Sequence, residues 1–199
     1  MRVYVGYAGE HGSTRGIAER LAATLTQQGH RADVTDLADE RTGAPEHDAC
    51  VLGSAIHNGR WLPPAAEYLR RYTPELARRP LWLFSVGLAR ILGDWFARRS
   101  RSPAPLPALR DLLAPVDHHL FAGAFERDHT SVFGHLVFRS LGGHYGDHRD
   151  WREIDAWATD IARHLLPAPS QEAHHRSVPF PGRQAPAGSG TEGEGRGAR

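Results

Sequence analysis

The sequence predicts a doubly wound α/β domain: a five-stranded parallel sheet in the order 2-1-3-4-5, with an insert after the fifth strand. Three observations predict it. Over residues 1–166, short apolar runs alternate with segments of helical periodicity. Two runs, Ala49–Gly53 and Leu81–Val86, are apolar throughout, as expected of strands covered on both faces. The first run leads directly into a glycine-bearing turn and an amphipathic helix, and such alternation implies right-handed crossovers.

The elements follow in order. Val3–Tyr7 opens the chain as a strand, with a turn over Ala8–Gly12. Ile17, Ala18, Leu21, Ala22 and Leu25 form one face of a helix from about Ser13 to Gln28, capped by Ser13 or Thr14 and ended by Gly29. Arg31–Asp36 is a weak strand and Ala49–Gly53 a strong one. Pro63 and Pro64 suit the first turn of a second helix, in which Leu62, Ala65, Ala66 and Leu69 share a face. Leu81–Val86 is the fourth strand, and Leu120–Ala122 marks the fifth. The last helix spans about Trp151–Leu166 and buries Ile154, Trp157, Ala158, Ile161, Ala162 and Leu165.

Two stretches exceed ordinary loops, residues 87–106 and 126–149. Within the second, Val132, Phe133, Leu136, Val137 and Leu141 have the spacing of an amphipathic helix. His144 and His148 are four apart, but Gly142, Gly143 and Gly146 argue against the helix a metal pair would need, so no metal is expected. From Pro167 the composition changes. Residues 167–199 hold six glycines, five prolines and few large apolar side chains, which predicts a disordered tail beside a folded unit of residues 1–166.

Composition excludes several chemistries. All 24 basic residues are arginine, so a Schiff-base lysine and a Walker-type phosphate loop are both impossible. The single cysteine, Cys50, allows no internal disulfide; it is a small buried hydrophobe or a reactive thiol. A formal charge of +1 points to no partner, nucleic acid included. No run reaches the roughly 18 apolar residues of a membrane span, and the N-terminus reads as a strand, not a signal peptide. The expected compartment is the cytoplasm. The first long stretch carries Arg90, Arg98, Arg99 and Arg101 against one acid, Asp94, interleaved with Ile91, Leu92, Trp95 and Phe96. Such a piece either packs on its own domain or touches the inner face of the membrane.

Ligands of doubly wound sheets bind beyond the carboxyl ends of the strands, where the strand order reverses. That points to the loops Ala8–Thr14, Ser54–Trp61 and Ser85–Arg90. In the first, Gly9, Glu10, His11, Gly12, Ser13 and Thr14 lie between a strand and a helix. Glycines admit an anion close to the backbone, helix-start amides donate to it, and two hydroxyls add donors. The spacing is not G-x-G-x-x-G, so a monophosphate fits better than a pyrophosphate. A capped helix after a glycine turn is the alternative.

The stretch Tyr7–Ala18 resembles the phosphate loop of flavodoxin-like proteins, and Val51–Trp61 resembles their second flavin loop. The resemblance covers about residues 1–166 and is closest to the menaquinone-dependent protoporphyrinogen dehydrogenase branch. That branch shares the Gly-Ser-Ala-Ile-like loop at Gly53–Ile56, the Leu141-Gly142-Gly143 turn and the Trp that begins the last helix, here Trp151. The resemblance implies FMN as cofactor, with its phosphate on residues 9–14. Its ring would lie against Ser54, Ala55, Ile56, Asn58, Gly59, Val86 and Gly87. Trp61 would either stack on that ring or pack at the helix start. The resemblance also implies a quinone as electron acceptor and a porphyrinogen substrate. Gly9 and His11 depart from it, since flavodoxins usually place Ser or Thr there. The rival functions are a flavodoxin-type electron carrier and a flavodoxin-fold domain that has lost its cofactor. Carriers of this kind tend to be strongly acidic, and 24 bases against 23 acids does not fit. The sequence shows no Ser-His-Asp or paired-carboxylate constellation, and flavin redox chemistry needs none, so no catalytic side chain is assigned.

Overall fold

In the computed structural model the described residues are 1–39, 43, 45–87, 103–125 and 146–166. All lie within one unit, Met1–Leu166. Its elements are β1 (Arg2–Ala8), α1 (Ser13–Gln27), β2 (Arg31–Asp36), β3 (Ala49–His57), β4 (Arg60–Trp61), α2 (Pro63–Arg71) and α3 (Thr73–Leu76). There follow β5 (Leu81–Gly87), α4 (Leu106–Leu113), β6 (Asp117–Ala122), β7 (Ala124–Phe125), β8 (Gly146–Asp147) and α5 (Trp151–Leu165).

The sheet order is β2-β1-β3-β5-β6, and these five strands run parallel. Counting only them, the order is 2-1-3-4-5. The central strands are buried almost end to end because each is covered on both faces. On one face Val5, Val51, Phe84 and Phe121 pack with Leu21 of α1 and Trp157 of α5. On the other, Leu52 and Leu83 pack with Trp61, Leu69, Leu76 and Leu113. β2 is one of the two edge strands and stays largely exposed, which is why it reads weakly in the sequence.

Four features differ from the sequence expectation. The start of α1 is Gly12, in the left-handed region at φ 77°, and no side chain caps it, neither Ser13 nor Thr14. β3 continues past Gly53 to His57 and turns back through β4, so much of the second loop is strand. The fifth strand begins at Asp117, and α4 precedes it where no element was expected. A short antiparallel pair, β7 with β8, brackets the insert. The Arg-rich piece over 88–102, the expected insert helix over 132–141 and the tail from Pro167 lie outside the described residues.

Candidate functional site at the strand ends

The carboxyl ends of β1, β3, β5 and β6 share one rim. Ala8 pairs with Ser54, Ser54 with Ser85, and Gly87 with Ala122. The first loop sits on this rim at the start of α1. A helix leaves its first amides without intrahelical acceptors. No side chain caps those amides, and among the described residues a Cβ built at Gly12 would meet nothing within 4 Å. Open space therefore lies before donors that favour an anion.

Gly9 has a local reason to lack a side chain. Thr14 is buried and leans over it, so a Cβ at Gly9 would come within 2.7 Å of the Thr14 Cβ and 2.8 Å of its Oγ1. A serine or threonine at position 9 and Thr14 compete for one place. The Ser13 hydroxyl oxygen accepts from the Ala124 amide at 2.8 Å, which leaves its proton for another acceptor. Ser13 thus ties the loop to β7, just past the last strand of the main sheet. Glu10 and His11 are both exposed, with His11 Nε2 3.8 Å from a Glu10 carboxylate oxygen.

The second loop is a β-hairpin. Ile56 pairs with Trp61 and His57 with Arg60. Asn58 and Gly59 form the two-residue turn, at φ 50° and 72°. Two positive φ values in succession define a type I′ turn, for which Asn-Gly is the preferred pair. The buried Ser54 hydroxyl donates to the Ala55 carbonyl at 2.8 Å and accepts from the Leu62 amide at 2.9 Å, so it locks the hairpin's base. Trp61 is 3% exposed, and its indole N–H donates to Ser85 Oγ at 2.7 Å. Of the two readings of Trp61, the structure places it in the core. Ala55 and Ile56 are half-buried, while Asn58 and Gly59 are exposed at the tip.

In the third loop, Ser85 is fully buried and also lies 2.9 Å from His118 Nε2. Val86 is buried, and Gly87 leaves room for Ile56, whose Cδ1 would lie 3.4 Å from a Cβ there. Residues 88–90 fall outside the described set. Residues 9, 12–14, 54–56, 86 and 87 therefore meet at one rim, and Asn58 and Gly59 stand above it.

The family model that matches this chain is that of the flavodoxin domain, over residues 4–141. The chain belongs to the flavodoxin-domain family. Among curated relatives, the protoporphyrinogen IX dehydrogenase [quinone] of Escherichia coli K12 is 24% identical over 182 residues, covering 85% of this chain and 99% of that protein. Flavodoxin 1 of Bacillus cereus shares the fold at a TM-score of 0.54 and 10% identity, covering 83% of this chain and 100% of the other. An archaeal flavodoxin does so at 0.51 and 17%, covering 82% and 98%. The rubredoxin oxygen:oxidoreductase of Desulfovibrio gigas aligns at 0.52 and 15% identity over 82% of this chain, which spans only 36% of that longer one.

This flavodoxin domain has one rim residue that the sequence reading did not single out. Arg149 places Nη1 2.6 Å from where a Gly16 Cβ would be, against the first turn of α1. Its guanidinium stacks over Trp151, 4.5 Å from the ring centroid, and grips Asp147 at 2.6 and 2.8 Å. That pairing holds the Asp147 carboxyl below its usual range. Only a residue without a side chain at position 16 admits the contact, and the spacing of 133 residues hides it from local pattern reading. Cys50 is far from this rim, near the start of β3. Burial pushes its thiol up to about 12, so it is a buried hydrophobe and not a nucleophile.

Proposed function

We propose that this flavodoxin domain binds FMN and acts as an oxidoreductase on a porphyrinogen, with a quinone as electron acceptor. One observation carries the cofactor assignment: the uncapped amides of α1, behind a left-handed glycine, with open space before them. A monophosphate fits there. Gly12, Ser13 and Thr14 would hold it, and the strand ends at Ala55, Ile56, Val86 and Gly87 would border the ring. FMN supplies the hydride and electron transfer chemistry; the protein supplies binding and electrostatics. Ser13 would donate its hydroxyl proton to the phosphate while its oxygen keeps accepting from the Ala124 amide.

The porphyrinogen and quinone rest on the 24% identity to the Escherichia coli enzyme along nearly its whole length. A large substrate agrees with the long insert, whose ends β7 and β8 fix beside Ser13. A quinone acceptor agrees with the basic, aromatic composition of residues 87–106, which would suit a membrane surface. Among the described residues no helix is long and apolar enough to cross a membrane.

Purified protein should show flavin absorbance, and the flavin released on denaturation should be FMN. The loaded protein should oxidise protoporphyrinogen with a soluble menaquinone analogue. Replacing residues 126–145 with a short Gly-Ser linker should keep FMN and abolish that turnover, since Phe125 and Gly146 already pair across the gap. Neutralising Arg98, Arg99 and Arg101 should weaken binding to anionic liposomes by about 1 kcal/mol for each arginine at the surface. A colourless protein that takes up no added FMN overturns the cofactor assignment. A yellow protein without porphyrinogen turnover, exchanging electrons with a flavodoxin reductase, would be a carrier.

A further inference from the structure

The pleat of β3 determines what the hairpin presents to the first loop. Gly53 faces Phe84: a Cβ there would come 2.1 Å from the ring, and Phe84 lies in the core beneath α1 and α5. Ala55 at the strand end packs with Ile56 against the core beneath α2. Side chains alternate along a strand, so His57 follows on the side opposite Ile56. Ile56 itself fills the space left by Gly87. Trp61 pairs with Ile56 and shares its side, buried. Arg60 pairs with His57 and therefore shares the side opposite Ile56. Both are exposed.

The placement of Arg60 is fixed from two directions. β4 pairs with β3, and on its outer edge the Trp61 amide donates to the Ala104 carbonyl at 2.8 Å while the Ala104 amide donates to the Gly59 carbonyl at 3.2 Å. Among the described residues Arg60 makes no ion pair. The strands bearing the two loops are neighbours, so the hairpin begins about 5 Å, one strand spacing, from the phosphate loop's strand. The core has taken the aromatic side chain of this hairpin. What remains on the side opposite Trp61 is an exposed arginine whose backbone is held in place.

We propose that Arg60 is the charge flanking the flavin and that it favours the reduced over the oxidised state. This rests on the FMN reading above. Two electrons and one proton from a hydride donor leave the flavin ring with one net negative charge, and a nearby guanidinium stabilises that anion. A Coulomb interaction of this kind at a partly shielded surface readily reaches the 1.4 kcal/mol that a tenfold bias represents. The role is electrostatic, so lysine should replace arginine and glutamine should not.

The test uses the full-length, FMN-loaded protein. The two-electron potential is read by equilibration with a dye of known potential, and FMN dissociation constants are measured for both oxidation states. Arg60→Gln should weaken binding of reduced FMN about tenfold more than that of oxidised FMN, a fall of about 30 mV for a two-electron couple. Arg60→Lys should stay near the parent value, and Arg60→Glu should fall further than Arg60→Gln. Equal potentials for the parent and Arg60→Gln, with FMN bound in both, would overturn the proposal and leave the cofactor assignment standing. A loss in Arg60→Lys equal to that in Arg60→Gln would overturn it too, by showing that shape and not charge matters. Absence of FMN binding in the parent protein overturns the FMN reading, and this one with it.

Discussion

In the loop over residues 9–14 the helix-start amides have no capping side chain, whereas in the hairpin over residues 54–61 the side-chain polar groups close on their own neighbours. The residue types are alike: glycine, serine, histidine and a larger side chain in each. In the first loop Gly9 makes room for Thr14, and Gly12 opens a cradle. In the second, Gly59 serves a turn, Ser54 bonds the hairpin base and Trp61 bonds Ser85. Residue type does not separate ligand-facing from fold-facing groups here. Uncapped donors do. A buried polar group without a partner costs about 1–3 kcal/mol, so helix-start amides that no side chain caps are where the proposed phosphate would find donors.

The largest effect that sharpens this contrast is at Trp61. Trp61→Ala should cost about 3–5 kcal/mol of stability, because it empties a buried indole's place in the core beneath α2. Trp61→Phe keeps much of the packing but removes the indole donor from Ser85 Oγ, which keeps its contact with His118, and should cost about 1–3 kcal/mol. Urea denaturation measures both. If Trp61→Phe left the unfolding midpoint unchanged and abolished FMN binding, the indole would be a ligand group after all.

How much was legible follows from how local each feature is. The sheet order, α1, α2 and α5 were readable because apolar periodicity is written in consecutive residues. The phosphate loop was readable because its glycines and hydroxyls occupy six consecutive positions. The hairpin carried a readable signal, Asn58-Gly59, which names a type I′ turn; taken as a ligand loop, it was overlooked. Trp61 was undecidable locally, since Ser85, 24 residues away, captures its N–H. α4 was missed because Leu106, Leu109 and Leu113, though helically spaced, follow Pro103 and Pro105 and flank Pro107. Arg149 was missed because its seat is Gly16, on the other side of the sequence.

The next effect in size belongs to the first loop. Thr14→Val keeps the side chain's shape over Gly9 and removes only the hydroxyl. It should weaken FMN by about 1.5–3 kcal/mol and riboflavin hardly at all, because the lost bond goes to a charged phosphate. Ser13→Ala should show the same preference and also free the Ala124 amide, so it should lower stability as well. Isothermal titration with both flavins reads the difference. Equal losses for FMN and riboflavin would mean that these hydroxyls support the fold and not the anion.

The smallest effect isolates the contrast most cleanly, because one chemical change can be made in both loops. Gly12 and Gly59 have similar backbones, φ 77° and 72°, and a Cβ at either would meet nothing within 4 Å. Alanine at each position therefore carries the left-handed penalty without a clash. Each variant should lose about 1–2 kcal/mol of stability, and the two losses should be close to one another. Ligand binding should separate them. In Gly12→Ala the new methyl enters the open space before the α1 amides, so FMN should weaken beyond the stability loss and riboflavin should not. In Gly59→Ala the methyl sits at the hairpin tip, and the FMN-to-riboflavin ratio should stay at the parent value. If Gly59→Ala shifted that ratio as much as Gly12→Ala, the phosphate would be held by both loops. The division between an anion-binding loop and a self-satisfied hairpin would then be wrong.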